Sequence, residues 1–466
     1  MRTYYWYLSA YLRKHGFVML ASIVIAVILF SLLLPLVINR LSSKKRTYIG
    51  VVGEYSLTSL PLPIQQKLSA GLTQVLEDGS VAPDLSERWT VENDGKDFRF
   101  VLKKNITWQD GQPLTPADVT YNFKDVKIIT TPNDIVFKLP DTYVAFPTVV
   151  SQPLLKTQTI KRMGFFTQEN IIGLGAYRLV NYKLDGPQLK EVIVENDTER
   201  LVYRFYLTEE EAVLGFKRGE VDQISDLATS YGLESWPTVQ VTKHINYNRY
   251  LGVFFNNNHP AFLKNVRQAL SYATPKPADD IRAAGPISPQ SWASFQGAKT
   301  YDYDLERATE RLLSEPPQQP LNLELTTTTN FHKDAEEIKQ HWEKLGQEAY
   351  TSCQNNKDIK DKAICENVKI TVTVRINNYP DTSNFQILLV GQESPQDPDQ
   401  YTLWHSEQSS NFIHYRNTRI DSLLEKGRKT FDQTERLAIY QEFQQFFLED
   451  APVVFIKHLE SYEVKR

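Results

Sequence analysis

The stretch VAPDLSERWTVENDGKDFRFVLKKNITWQDGQPLTPADVTYNF, residues 81–123, decides how this chain is read. Phe98, Phe100 and Leu102 alternate with Arg99 and Val101, the period of two expected of a strand with one buried face. Asp110 and Gly111 mark a tight turn, because glycine tolerates positive φ. Thr115 suits a helix N-cap and Pro116 the first helical position. Asp118, three residues after the cap, can close a capping box. The spacing therefore predicts a strand, a turn and a capped helix, which is scaffold and not a binding site.

These residues resemble the signature of the family 5 extracellular solute-binding proteins, the peptide- and nickel-binding receptors of ABC importers. Pro83, Leu85, Trp89, Asp94, Gly95, Phe98, Phe100 and Leu102 match that pattern in order. Trp108, Asp110, Gly111, Pro113, Leu114, Thr115, Asp118 and Val119 continue it. Residues 173–180 resemble the family's G-T-G-P-Y-x-L turn, with Ala176 in place of proline, and residues 216–222 resemble its L-x-x-G-E-x-D element. Residues 250–256 and 266–273 resemble its hinge strand and V-R-Q-A-L helix. Arg436 and Tyr440 fit its D-x-x-x-R-x-x-x-Y helix. Where relatives carry a long helical stretch, Phe123 is followed within a dozen residues by the strand-like Ile135 to Leu139, so one lobe looks trimmed.

The resemblance implies an α/β fold of the periplasmic-binding-protein-like type II (cluster C) kind. Two main lobes, a small extra lobe and an N-terminal transmembrane helix are expected. The expected division is a basic tail, anchor and linker over 1–46, the start of lobe I over 47–65 and a small second lobe over 66–172. Lobe I would continue over 173–246, a third lobe would fill 247–454, and 455–466 would return to lobe I. A length of 466 residues fits two or three lobes better than one core.

Residues 17–38, from Phe17 to Ile38, form one mostly apolar run, about 33 Å long as a helix and so long enough to span a bilayer. Tyr4, Tyr5, Trp6, Tyr7 and Tyr11 precede it, as in an interfacial aromatic belt. No Ala-x-Ala-like cleavage site and no lipoprotein cysteine follows, so an uncleaved anchor is expected, with cleavage as the alternative. The expected location is the cell membrane, single-pass, with the large domain extracytoplasmic. Residues 1–46 hold seven of the 52 Lys/Arg and none of the 56 Asp/Glu. The rest carries 45 basic against 56 acidic residues, a formal charge of −11, which argues against nucleic acid as a partner.

Cys353 and Cys365 flank a polar segment. In an oxidising compartment they could close that loop, worth about 3 kcal/mol on the chain-entropy estimate; otherwise they are free thiols. With no nearby histidine they fall short of a metal ligand set, and no metal or cofactor is expected. No Gly-x-Ser-x-Gly or His-Glu-x-x-His constellation occurs and the eight histidines are scattered, so no enzyme is expected.

A lobed receptor binds in the cleft between its lobes and closes about a hinge. The hinge strands are expected near 247–256 and 452–458. Peptide-binding relatives pair the ligand's α-amine with an Asp before the Asp-Pro turn of the third lobe; counting back from Asp397 and Pro398 puts Ser394 there, with Glu393 one residue earlier. A buried ammonium needs a paired charge, which serine cannot supply, so Glu393 could replace the missing carboxylate. Val390 and Gln392 on the same run, Trp404 as a cleft wall and Asn411 complete the expected ligand-binding set.

The resemblance implies a membrane-tethered monomer that captures a small solute, such as an oligopeptide, and delivers it to an ABC permease. A peptide holdase or sensor on the same scaffold is the alternative.

Overall fold

The computed structural model describes residues 44–162 and 166–466, with Trp6 and residues 14–18, 21, 22 and 24–30 ahead of them. Ten strands form one mixed sheet. One half runs Arg178–Asp185, Gln188–Glu195, Glu199–Tyr206, Lys45–Val52 and Gln223–Leu227. The other runs Ile387–Glu393, Leu321–Thr327 and Ile370–Ile376, and the long strands Val453–Lys465 and Gln240–Phe255 join the halves. Each half has a parallel centre. Lys45–Val52 lies parallel to Glu199–Tyr206, and Leu321–Thr327 lies parallel to both Ile370–Ile376 and Ile387–Glu393.

Parallel strands need helical crossovers, which cover both faces and demand apolar residues on both. Gln240–Phe255 shows this directly. Leu251, Val253 and Phe255 enter one core with Val266, Leu270, Ala308, Leu312, Ile338 and Trp342, from helices Lys264–Tyr272, Leu305–Ser314 and His332–Asn355. Tyr250 and Phe254 enter a second core with Leu424, Tyr440, Phe443 and Phe447, from helices Thr418–Lys429 and Gln433–Asp450. Asp304 and Asp432 cap two of these helices, accepting from the main-chain N–H of Arg307 and Glu435.

The two joining strands pair antiparallel from Gln240 to Asn246 and again from Tyr250. Between them the register slips: Asn246 faces Leu459 and Tyr250 faces His458, so residues 247–249 have no partner on the opposite strand. A bulge bends and twists its strand. This one sits where the sheet passes from one half to the other, inside the expected hinge region.

The signature stretch builds a separate four-stranded antiparallel sheet in the order Ser86–Glu92, Asp97–Leu102, Asp134–Lys138, Lys127–Thr130. Phe98, Phe100 and Leu102 are buried in its core, while Arg99 points outward to Glu92 and Asp134. The turn at Gly111 has φ of +84°. The predicted helix is reduced to one turn, Pro116–Asp118. Asp118 accepts from the Thr115 N–H at 2.8 Å, but it is also held by Lys156 and by the Trp108 indole. Val119 is extended, and Tyr121 and Phe123 then pack at a spacing of two against the small core, which a continued helix would prevent.

The membrane expectation is corrected. Among the described residues no helix is long and apolar enough to cross a membrane. Of the 17–38 run, residues 17, 18, 21, 22 and 24–30 are described. Residues 19, 20, 23 and 31–38 of that run lie outside the described residues, as do Tyr4, Tyr5, Tyr7 and Tyr11. A single-pass membrane location through Phe17 to Ile38 is therefore withdrawn.

Candidate functional site

A cavity of 680 Å³ lies between the small-sheet region and the half of the molecule built on Ile387–Glu393. One wall begins in helix Leu62–Leu68, which ends where Ser69 turns extended. Ser69, Ala70, Gly71, Thr73 and Gln74 follow, backed by Thr148, Ser151 and Gln152. Gly71 makes this wall possible, because a Cβ there would lie 2.4 Å from the Ser151 main chain. The facing wall is Glu393, Ser394, Pro395 and Gln396. A second cavity of 440 Å³ continues from the first, sharing Val75 and Gln396, and adds Glu77, Asp78, Asn248, Ser288 and Ser291. Both volumes fall in the range of about 300–1,000 Å³ common for small-molecule sites.

The two walls touch on either flank of the cavity. Trp292 N–H donates to the Asp78 carbonyl at 3.0 Å, and Val144 N–H donates to the Arg428 carbonyl at 2.9 Å. Gly79, at φ of +81°, lies so close to the Gln396 carbonyl that a Cβ would sit 2.5 Å from it.

The Glu393-bearing wall is held from behind by buried ion pairs. Arg436 donates to both carboxylate oxygens of Asp397, at 2.5 and 3.0 Å, to the Gly427 carbonyl at 2.9 Å and to the Tyr440 hydroxyl at 3.2 Å. Arg428 donates to Asp399 at 3.1 Å and lies over the rings of Tyr143 and Tyr401. Burial pushes the Asp399 carboxyl up, against the pull of Arg428. A bidentate guanidinium fixes direction as well as distance, so the loop from Ser394 to Gln400 is positioned from inside the fold.

Among the described residues the charge of the cleft has one sign: Asp84 and Glu393 line the larger cavity, Glu77 and Asp78 the smaller, and no described Lys, Arg or His lines either. Asp84 is half-buried; burial pushes its carboxyl up while Lys103 pulls it down, and it makes no ion pair with a described residue. Glu393 is 70% exposed, and its nearest cation is the Arg249 Nε at 3.9 Å. That arginine, in the bulge, already donates to Asp226 at 3.0 and 3.3 Å. On the same cavity wall the Thr148 hydroxyl oxygen is buried without a hydrogen-bond partner.

The expected residues are distributed as follows. Glu393 and Ser394 both line the cavity. Ser394 is 4% exposed, its N–H donates to the Asn248 carbonyl at 2.7 Å and its hydroxyl to the Pro286 carbonyl at 2.9 Å. It ties the wall to the bulge and spends both of its donors on main-chain carbonyls. Val390 packs against the second core, and Gln392 donates to the Glu393 carbonyl at 3.0 Å. Trp404 is buried in the second core with its indole N–H on the Gln400 side chain, and it does not line the cavity. Asn411 donates to the carbonyls of His405 and Tyr415, locking a buried turn. Cys353 and Cys365 are joined, with Cα atoms 5.6 Å apart, and neither lines the cavity. Asp84 was missed, although it stands in the quoted stretch; a carboxylate directly before the buried Leu85 and Ser86 is the signal for it.

A third cavity, of 420 Å³, lies on the first half of the sheet alone, and its lining carries both signs of charge, with Glu191 meeting Lys183 at 2.8 Å and Arg204 at 3.2 Å. Nothing from the other half reaches it, so it does not share the character of the cleft.

Comparison with known proteins agrees with this architecture. The chain is 23% identical to the dipeptide-binding protein of Escherichia coli K12, over 88% of this chain and 86% of that protein. It is 22% identical to the probable D,D-dipeptide-binding periplasmic protein DdpA of the same organism, over 83% and 81% respectively. The solved structure of NikZ from Campylobacter jejuni, in complex with Ni(L-His), superposes with a TM-score of 0.68 at 23% identity, covering 91% of this chain and 94% of that one. The family model of the bacterial extracellular solute-binding proteins, family 5, matches residues 80–397, more than half of the chain, and the protein therefore belongs to that family of solute-binding proteins.

Proposed function

We propose that the protein captures a small peptide-like solute carrying a positive charge in the cleft between Asp84 and Glu393, and hands it to the permease of an ABC importer. The observation that carries this reading is the single sign of the cleft: four carboxylates and no basic side chain among its lining residues. A free peptide amine placed there would gain a charge partner on each wall and would hold the walls together. An anionic solute would meet repulsion from both. Relatives named as dipeptide-binding proteins support the peptide class. No histidine or cysteine lines either cavity, which favours an amine over a bare metal ion as the guest.

Calorimetric titration tests the reading with Ala-Ala and its N-acetylated form. The parent chain is expected to bind Ala-Ala and to bind the acetylated form at least about tenfold more weakly, a loss of about 1.4 kcal/mol. Glu393→Gln and Asp84→Asn are each expected to weaken Ala-Ala binding by about five- to thirtyfold, with an unchanged melting temperature. Equal binding of both peptides, or full affinity in both variants, would refute it.

A further inference from the structure

We propose that a second ligand site, for an amphipathic organic anion, lies on the opposite flank of the contact between the small sheet and the helical face of the other half. A cavity of 610 Å³ opens there, comparable in size to the cleft but sharing no lining residue with it. Its floor is apolar. Phe123, Val126, Leu139 and Phe146 come from the small-sheet core, where Phe123 and Phe146 meet edge-on with centroids 5.7 Å apart. Tyr401 closes the far side, and Arg428 stands between the rings of Tyr143 and Tyr401, 4.5 and 4.2 Å from their centres.

The charge at the rim is what selects the ligand. Two carboxylates also line it: Asp141 lies 3.7 Å from Lys96, and Glu425 faces the His405 Nε2 at 3.3 Å. Arg428 is satisfied by Asp399. Lys124 and Lys429 also line the cavity, are exposed, and make no ion pair with a described residue. An apolar, aromatic hollow with two uncommitted ammonium groups at its mouth fits a flat hydrophobic body bearing one carboxylate or sulfonate. Because its walls come from both sides of the interlobe contact, the site exists only while those sides are together.

The probe is 1-anilinonaphthalene-8-sulfonate, and its uncharged counterpart is N-phenyl-1-naphthylamine. Binding to the full chain is read by fluorescence titration, with circular dichroism confirming that each variant keeps the parent fold. Lys124→Glu with Lys429→Glu, two surface changes, is expected to weaken the sulfonate by about tenfold and to leave the neutral probe unchanged. Val149→Trp, which fills the cavity, is expected to weaken both probes. Addition of Ala-Ala is expected to displace neither. Sulfonate binding that is unaltered in the charge-reversed chain, or displaced by Ala-Ala, would overturn the proposal. If Val149→Trp fails to fold, the charge-reversed chain decides alone.

Discussion

Arg436 and Asp397 show how a single residue serves the cleft without touching it. Both are nearly buried, and together they fix the loop that carries Glu393 and Ser394. Removing one partner of a buried pair leaves the other charge uncompensated. Arg436→Ala is therefore expected to cost about 3–5 kcal/mol in urea denaturation, with Arg436→Met plus Asp397→Leu recovering much of the loss. Glu195 offers a pH-dependent test elsewhere. It pairs with Lys44, Arg178 and Arg200, and these partners outweigh its burial and lower its pKa from 4.5 to about 2. Its contribution to stability is full above about pH 4.5 and is lost as the pH falls toward 2, because the unfolded chain takes up the proton first. Denaturation between pH 2 and 5 is expected to show a steeper loss of stability in the parent than in Glu195→Gln.

At the scale of elements, local pattern and outcome agree where packing asks for the same thing. The 332–355 helix buries Ile338, Trp342 and Leu345 on one face, as their spacing requires, and Asp432 caps the helix it precedes. The pattern fails after Thr115, where a good cap starts a helix of one turn: Tyr121 and Phe123 gain more by packing against the small core than a further turn would supply. The disulfide closes the end of the 332–355 helix onto the turn at Lys362–Val368, across 12 positions of chain. Cys353→Ser with Cys365→Ser is expected to lower stability by roughly 3 kcal/mol on the loop-entropy account, without changing solute affinity. Calorimetric melting and peptide titration of the same variant check both halves of that statement.

At the scale of the whole molecule, one continuous sheet carries two parallel centres, and the bulge at residues 247–249 lies where the sheet passes from one to the other. The two walls of the cleft meet in close contacts at Gly79, Trp292 and Val144. Gly79→Val places a branched side chain at a positive φ and against the Gln396 carbonyl. It is expected to open the cleft, raising the radius of gyration in small-angle scattering and weakening solute binding. An unchanged scattering profile would show that this contact does not control the opening.

The sequence by itself determined the family, the α/β class and the signature strand. The family and the class rest on the resemblance of an ordered series of motifs, and the strand on local periodicity and turn chemistry, all of which survive in one dimension. The resemblance also pointed to Glu393, the carboxylate next to the position where peptide-binding relatives carry aspartate, because counting from Asp397 needs no coordinates. Only the tertiary structure decided that Asp84 faces the cleft, that Ser394 spends its donors on the scaffold and that Trp404 packs inward. It alone showed that the helix after Thr115 stops and that the cleft has one sign of charge. The physical reason is common to all of these. Burial and charge pairing are properties of neighbours in space, and Arg249 and the facing-wall residues Asp84 and Thr148 stand more than a hundred positions from Glu393 along the chain.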